Sequence, residues 1–263
     1  MAQTIACANQ KGGVGKTTTV VNLASQLVRA GDRVLVVDLD PQGNATSGFG
    51  VDRTNLQGSV YDAVIDDVPL EHVLVSTPSG ADLIPSAIAL AGADIELATV
   101  QGRERRLTRL LQPLLARYQF VLIDCPPSLG LLTVNALTAA DAVLIPLQSE
   151  YYALEGLTQL LATIDLVRDH LNPRLAIEGV VVTMADGRTN LSAEVDAEVR
   201  RHLGPLVYAT VIPRSVRLSE APSHGLPIDR YAPGSRGAEA YAALADEFRA
   251  RRRPHAAPQA VVA

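Results

Sequence analysis

The sequence predicts an α/β fold: a doubly wound, mostly parallel sheet with helices on both faces. Short runs of almost entirely apolar residues recur along the chain, and stretches with the three- and four-residue spacing of amphipathic helices separate them. Such continuous apolar strands are typical of parallel sheets, because helices cover both faces. A glycine-rich loop joins the first apolar run to the first helical stretch, and ligands of doubly wound folds bind at such strand ends.

The individual elements follow from these patterns in chain order. The predicted strands are TIACA at 4–8, RVLVVD at 33–38, FVLIDC at 120–125, AVLIPL at 142–147 and IEGVVVT at 177–183. The helix after the glycine loop carries Val20, Val21, Leu23, Ala24 and Leu27. Later helical periods are carried by Leu107, Leu110, Leu111 and Leu114, by Leu154, Leu157, Leu161 and Ile164, and by Tyr241, Leu244, Ala245 and Phe248.

The composition indicates one globular domain. The chain has 263 residues, of which 48% are hydrophobic and 19% charged, enough for one large buried core. We expect a single domain over residues 1–250 and a disordered tail, RRRPHAAPQAVVA, over 251–263. No apolar run reaches the roughly 20 residues of a membrane span, and the N-terminus lacks the features of a signal peptide, so a cytoplasmic protein is expected.

Net charge and cysteine content limit the classes of site. A net charge of -5 argues against a general coat for nucleic acid, although it leaves room for a local basic surface. Cys7 and Cys125 are too few and too far apart for a CxxC metal pair or a disulfide framework. Both are expected to be small buried side chains.

The stretch CANQKGGVGKTTT matches most of a phosphate-binding loop. The pattern G-x-x-x-x-G-K-[ST] ends in Gly15, Lys16 and Thr17. Its first glycine position holds Gln10, and a second lysine, Lys11, follows. Glycines let backbone N–H groups turn toward an anion at the start of the next helix. The pattern predicts that Lys16 reaches the β and γ phosphates and that Thr17 binds Mg²⁺; the alternative is a glycine-rich turn without a ligand.

Carboxylates end two of the predicted strands. Asp124 ends FVLID, where an aspartate of a nucleotide site would bind Mg²⁺, through water. Asp38 and Asp40 follow VLVV, separated by one residue. Asp38 is predicted either to contribute to the metal site or to cap the strand. Asp40 lies farther out, in a loop with Pro41 and Gly43, and is better placed to orient an attacking water.

Several long motifs resemble one family. They are KGGVGKTTT, DLDPQGNATSG, LIDCPPSLG, EYYALEGL and IPRSVRLSEAPSHGLPI. Together they resemble the deviant Walker A P-loop ATPases of the ParA type, most closely the chromosomal Soj-like partition proteins, from about residue 3 to about residue 250. The resemblance implies a single ATPase domain that uses ATP and Mg²⁺ and forms an ATP-dependent homodimer.

The resemblance also implies roles for individual residues. The nucleotide-binding loop comprises Lys11, Gly12, Gly13, Val14, Gly15, Lys16, Thr17 and Thr18. Lys11 is implied to contact the phosphates bound by the other subunit. The implied catalytic residues are Lys11, Lys16 and Asp40. Glu150 resembles the family's acidic residue at the dimer interface; its alternative is a carboxylate favoured by a helix N-terminus. Met184 and Pro213 are implied to flank the adenine; the alternative for Met184 is core packing at a strand end.

Family members bind nonspecific double-stranded DNA with surface arginines, which the resemblance places at Arg188, Arg214 and Arg217. Arg249 and Arg251 to Arg253 are either part of that surface or solvated charge. The cluster Arg103, Arg105, Arg106 and Arg109 is expected to be a solvated face; its alternative is a second basic surface. Slow hydrolysis stimulated by a ParB-type centromere-binding protein is expected to release the DNA, in a nucleoid-associated cytoplasmic protein that segregates chromosome or plasmid origins.

Two other classes share the glycine loop. A MinD-type cell-division ATPase ends in a membrane-binding amphipathic helix, whereas this chain ends in a proline-containing segment without a bulky apolar face, so no stable membrane association is expected. An iron–sulfur scaffold or electron-transfer ATPase needs cysteines at the dimer axis, whereas Cys7 and Cys125 lie at predicted strand ends.

Overall fold

The computed structural model describes residues 2–149, 153–186 and 190–252. Its strands are β1 Gln3–Cys7, β2 Val34–Asp38, β3 Val75–Ser76, β4 Asp82–Ile84, β5 Phe120–Asp124, β6 Ala142–Gln148 and β7 Ala176–Thr183. They form a seven-stranded sheet in the order β3-β4-β2-β5-β1-β6-β7. Within the described residues, only the β3–β4 pairing is antiparallel. The predicted doubly wound, mostly parallel α/β fold is therefore confirmed.

Helices connect the strands. They are α1 Lys16–Arg29, α2 Asn44–Gly48, α3 Val60–Asp66, α4 Leu70–Val73, α5 Ala93–Leu97, α6 Arg106–Leu111, α7 Leu131–Ala139, α8 Ala153–His170, α9 Asn190–Leu203, α10 Val216–Glu220, α11 Ile228–Tyr231 and α12 Arg236–Ala250. Among the described residues, none of these helices has the length and apolar character needed to cross a bilayer.

The core has two layers because successive strand residues point to opposite faces of the sheet. On β2, Val36 belongs to the layer formed with α1 and α12, whereas Val37 belongs to the other layer. Cys7 and Cys125 are likewise buried on opposite layers. Their separation by the sheet does not suit a shared metal cluster.

The apolar residues predicted to form one face of the last helix are buried, which confirms that prediction. Tyr241, Leu244 and Phe248 of α12 are at most 1% exposed. Each such side chain contributes roughly 1.5–3 kcal/mol when removed from water. Tyr241 also shares a hydrogen bond of 3.3 Å with Thr19 of α1. This packing fixes α1, and with it the glycine loop, against the C-terminal part of the domain.

Some elements differ from the sequence prediction. The short strands β3 and β4 are absent from it, because two or three residues carry no measurable period. The helix expected to extend to Leu114 ends at Leu111, since Pro113 has no N–H to continue the helical hydrogen bonds. Leu114 is nevertheless fully buried.

Individual arginines of the two predicted arginine groups pack against the domain. Arg106 is 6% exposed, pairs with Asp67 at 2.8 Å and donates to the Ile65 carbonyl at 3.1 Å. It therefore ties α6 to the end of α3 and is not part of a solvated face. Beyond α12, Arg251 lies over the Tyr208 ring at 3.7 Å.

The ordered contacts extend two residues past the tail boundary predicted at residue 251. Arg251 pairs with Glu247 at 2.9 Å, and Arg252 pairs with Glu178 and covers the Phe248 ring at 3.3 Å. These arginines hold the end of α12 on the domain. Residues 253–263, and with them the rest of the predicted tail, lie outside the described part of the chain.

Candidate nucleotide-binding site

The glycine loop lies at the centre of the sheet, between the end of β1 and the start of α1. Gly13 and Gly15 have φ values of 75° and 88°, a left-handed backbone that L side chains rarely adopt. No side chain caps the N-terminus of α1 at Gly15. The first N–H groups of the helix are consequently available to an anion, as the sequence pattern predicts.

Lys16 is held inside this loop. Its side chain is nearly buried, with 6% of the residue exposed, and its Nζ donates to the Lys11 carbonyl at 3.2 Å. Lys11 is half-buried at the mouth of the loop. Lys11 and Lys16 are the only lysines in the sequence, all other basic side chains being arginine or histidine. Every lysine side chain of this protein thus belongs to the glycine loop.

Two side chains that the sequence patterns did not single out hold the loop in place. Thr183, at the end of β7, donates its hydroxyl to the Val14 carbonyl at 2.8 Å. Asn9 accepts from the Lys11 N–H at 3.0 Å and donates to the Pro146 carbonyl at 2.8 Å. The loop is therefore tied to two neighbouring strands, β6 and β7, and its shape is preset before a ligand arrives.

Asp124 ends the central strand β5 beside the loop. In the register of the sheet it lies between Cys7 of β1 and Asp38 of β2. It is fully buried, and neither carboxylate oxygen has a hydrogen-bond partner within the described residues. Burial first, and then the charge of Asp38, raise the pKa of Asp124 well above its usual range, while the nearby Thr17 hydroxyl lowers it.

A cation would satisfy this carboxylate. A buried carboxylate without partners is costly, and Mg²⁺ prefers oxygen ligands. Thr17, half-buried at the start of α1, supplies a hydroxyl beside Asp124. Two of the three residues that the sequence predicted for the metal, Thr17 and Asp124, therefore fit a magnesium ion.

Asp38 differs from Asp124 because both of its carboxylate oxygens accept hydrogen bonds from the protein. Its Oδ2 accepts from the Thr46 N–H at 2.8 Å and from the Thr46 hydroxyl at 2.7 Å, and its Oδ1 accepts from the Asp40 N–H at 3.2 Å. Burial raises the pKa of Asp38 to about 6 against these hydrogen bonds. The geometry favours the strand-capping alternative over the metal-ligand prediction, because both oxygens already hold the start of the following loop.

Asp40 lies on that loop, at the edge of the cleft. It is 7% exposed, and its Oδ1 accepts from the Gln42 N–H at 2.9 Å. Its carbonyl accepts from the Ser86 hydroxyl at 2.7 Å and from the Gly43 N–H at 2.8 Å. Asp40 and Lys16 line the same cleft. The structure therefore brings together the side chains predicted for phosphate binding and for orienting water.

The cleft has a volume of about 530 Å³ and runs from the loop to the C-terminal segments. Met184 and Pro213 both line it, as predicted for the adenine. Met184 has a φ of 52°, which is uncommon for a residue with a side chain. The backbone pairing of Ala185 with 212–214 holds this conformation. Other residues that line the cleft are Gly12, Asn22, Pro127, Leu218 and Tyr241.

Comparison with known proteins identifies the family. A family model described as an AAA domain matches residues 2–177. The sporulation initiation inhibitor protein Soj of Bacillus subtilis (strain 168) is 57% identical over 251 residues, covering 95% of this chain and 99% of that protein. The chromosome-partitioning ATPase Soj of Thermus thermophilus is 54% identical over 247 residues, covering 94% of this chain and 95% of that protein.

The chain belongs to the Soj/ParA family of chromosome-partitioning ATPases.

This Soj/ParA-family chain is also similar to a solved structure that is described as a different enzyme. The cobyrinic acid a,c-diamide synthase of Mycobacterium smegmatis, crystallised with an ATP analog and magnesium, is 42% identical and has a TM-score of 0.82. The match covers 94% of this chain and 93% of that one.

The predicted DNA-binding arginines occupy different places in this Soj/ParA-family chain. Arg214 lines the nucleotide cleft, although its side chain is exposed. Arg217 lies on α10 with 61% of its side chain exposed and pairs with Glu220 at 3.0 Å. Glu150 and Arg188 lie outside the described residues. Of the described residues in the DNA-binding set, Arg217 is therefore the one that does not line the cleft.

Two glycines form a close backbone contact between the segment after α2 and the C-terminal side of the cleft. A Cβ on Gly225 would lie 2.6 Å from the Gly50 Cα, and a Cβ on Gly50 would lie 2.9 Å from the Gly225 carbonyl oxygen. Gly48, at the end of α2, and Leu226, next to Gly225, both line the cleft. The two backbones can lie this close together because both residues at the contact are glycines, which have no Cβ.

We expect Gly225→Ala to destabilise the protein much more than Gly102→Ala. Both glycines are left-handed, with φ of 63° and 67°, but a Cβ on Gly102 would have nothing within 4 Å. Left-handed strain alone costs about 1–2 kcal/mol, and overpacking at Gly225 adds about 1–3 kcal/mol. Urea unfolding measures the difference. Equal destabilisation of the two variants would contradict the contact's importance.

Proposed function

We propose that this chain is an ATP-gated DNA-binding switch of a chromosome or plasmid partition system. It binds ATP and Mg²⁺ and hydrolyses ATP to ADP and phosphate. The observation that carries the proposal is the meeting of a preset phosphate loop, the buried Lys16, the unpartnered Asp124 and the loop-held Asp40 around one cleft. Each of these groups has a part in phosphoryl transfer, whose catalysis is mainly positioning and electrostatic stabilisation.

The chain's own groups perform most of this chemistry. Backbone N–H groups of the loop and the start of α1 hold the phosphates, and Lys16 neutralises charge on the β and γ phosphates. Asp40 accepts a hydrogen bond from the attacking water and aims it at the γ phosphate. Mg²⁺, when held by Thr17 and Asp124, would neutralise further phosphate charge.

ATP binding is proposed to create a sandwich dimer. Lys11 is half-buried at the mouth of the loop, and its ammonium group is proposed to contact the phosphates bound by the second subunit. A cation supplied across the interface makes each site complete only in the dimer, so hydrolysis dissolves the dimer. Glu150 is assigned to the same interface by resemblance, and Met184 and Pro213 are assigned to the adenine.

The dimer is proposed to hold double-stranded DNA without sequence preference through Arg188 and Arg217, with Arg214 beside the nucleotide. A net charge of -5 requires that this contact be local, and it would weaken with salt as phosphates release their counterions. A ParB-type protein then accelerates the slow hydrolysis and releases the DNA. The protein is accordingly expected in the cytoplasm, on the nucleoid, without stable membrane association.

We expect Arg188→Glu combined with Arg217→Glu to abolish DNA binding while ATP-dependent dimerisation persists. Arg217 is exposed and its ion pair with Glu220 is at the surface, so its reversal leaves the nucleotide cleft intact. In milder Ala variants, each lost phosphate contact should flatten the slope of log K against log[salt] by about 0.9. Fluorescence anisotropy with unrelated duplexes at several salt concentrations measures both effects.

Light scattering of the same samples measures the dimer, and Arg109→Glu combined with Arg117→Glu, at two exposed positions, is the charge-matched control. The DNA-binding proposal is wrong if the double reversal binds DNA like the wild type. It is also wrong if the wild type binds equally well with ADP as with ATP.

A further inference from the structure

Arg53 lies against the turn that carries Asp40. Its Nη2 donates to the Pro41 carbonyl at 3.1 Å, and its Nη1 donates to the Gln42 carbonyl. The guanidinium also lies over Gly43: a Cβ there would lie 2.6 Å from the Arg53 Cζ and 3.0 Å from its Cδ. Arg53 is in the loop after α2 and belongs to none of the motifs that predicted the nucleotide site.

The hydrogen bonds of Arg53 and Asp40 meet on the same two peptide groups. The Pro41–Gln42 peptide is held by Arg53 at its carbonyl and by the Asp40 carboxylate at its N–H, at 2.9 Å. The Gln42–Gly43 peptide is held by Arg53 at its carbonyl and by the Asp40 carbonyl at its N–H, at 2.8 Å. A donor at a peptide carbonyl polarises that peptide, and this strengthens the hydrogen bond that the N–H of the same peptide donates.

We infer that Arg53 is a positioning residue for ATP hydrolysis. It clamps the Pro41–Gln42 peptide, whose N–H donates to the Asp40 carboxylate, and the Gln42–Gly43 peptide, whose N–H donates to the Asp40 backbone carbonyl. The inference rests on the proposed role of Asp40. Arg53 does not touch the nucleotide cleft in the described residues, so it acts through Asp40 and not on the phosphates. Gly43 allows the clamp because it has a φ of 58° and no side chain beneath the guanidinium.

The clamp is specific to a guanidinium. Two carbonyls on successive peptides match the parallel N–H groups of one planar fork, whereas an ammonium is a single point of donation. The buried Nε of Arg53 has no hydrogen-bond partner within the described residues, which indicates that the fork is oriented by the two carbonyls alone. Lysine at this position should consequently restore only part of the effect.

The test compares kcat, KM and nucleotide affinity for the wild type, Arg53→Ala, Arg53→Lys and the exposed control Arg109→Ala. Arg53→Ala should lower kcat by roughly tenfold or more, because a small misplacement of a reacting group can cost up to about a hundredfold. Its affinity for a fluorescent ATP analog should stay within about twofold, since transition-state contacts alone are lost. Arg53→Lys should recover part of kcat, and Arg109→Ala should match the wild type.

Gly43→Ala tests the clamp from the other side. Its Cβ would displace the guanidinium, so it should lower kcat when Arg53 is present and add little in the Arg53→Ala background. Gly102→Ala supplies the matched control for left-handed strain. Equal effects of Gly43→Ala in both backgrounds would show that the turn fails from strain and not through Arg53.

The inference is overturned if Arg53→Ala retains wild-type kcat, or if kcat, nucleotide affinity and thermal midpoint all fall together and Arg53→Lys restores none of them. Asp40→Ala separates this failure from that of the proposed function. Full turnover of Asp40→Ala would overturn both, whereas an inactive Asp40→Ala beside a fully active Arg53→Ala would overturn the role of Arg53 alone.

Discussion

Lys16→Ala is expected to lose ATP binding, whereas Lys11→Ala is expected to bind ATP as a monomer and fail to dimerise. The Lys16 ammonium is nearly buried and fixed on the Lys11 carbonyl, so its removal leaves the phosphates without their central cation. A hydrogen bond to a charged group contributes about 1.5–3 kcal/mol, which corresponds to roughly a 10- to 150-fold loss of affinity. Titration with a fluorescent ATP analog measures this loss.

Lys11→Ala removes a side chain but keeps the backbone carbonyl that holds Lys16. Its ATP affinity as a monomer should therefore stay close to that of the wild type. Light scattering with ATP should then detect a monomer where the wild type forms a dimer. A Lys11→Ala protein that dimerises normally would show that Lys11 does not complete the partner's site.

Asp40→Ala is expected to bind ATP and to lose turnover. A side chain that positions or activates water contributes about a hundredfold to ten-thousandfold to the rate. If hydrolysis dissolves the dimer, the variant should accumulate as an ATP-bound dimer that stays on DNA. Phosphate release and DNA dissociation after dilution measure the two parts of this prediction.

Asp40→Asn separates the charge of Asp40 from the shape of its turn. The amide oxygen can still accept from the Gln42 N–H, so the loop should keep its conformation while the negative charge is lost. We expect Asp40→Asn to be nearly as inactive as Asp40→Ala, with Asp66→Ala, an exposed carboxylate on α3, as the control. Wild-type turnover in both Asp40 variants would move the catalytic role elsewhere, first to Asp38.

The sequence predicts the fold and the centre of the site because both depend on short-range patterns. The strands β1, β2, β5, β6 and β7 are continuous apolar runs, and the parallel sheet follows from their alternation with helical periods. Lys16 and Thr17 fall on a loop with a fixed spacing. Once β1, β2 and β5 are neighbours, Asp38 and Asp124 must meet at the same edge.

The supporting residues escape such patterns because their partners are distant in sequence. Thr183 and the Val14 carbonyl are 169 residues apart, and Ser86 and the Asp40 carbonyl are 46 apart. A lone threonine or serine has no local signal that names its partner. Asp38 shows the same limit: its position was predictable, but its use by Thr46 depends on how the loop returns to the strand.

Because lysine occurs only in the glycine loop, reagents that modify amines can probe the nucleotide site selectively. An acylating reagent has Lys11, Lys16 and the α-amino group as its only amine targets, because every other basic side chain is arginine or histidine. Lys16 is nearly buried and Lys11 is half-buried, so the two should differ in rate of modification. Mass spectrometry of a single loop peptide would then report nucleotide occupancy and subunit pairing in the unaltered protein, without an attached dye or an introduced residue.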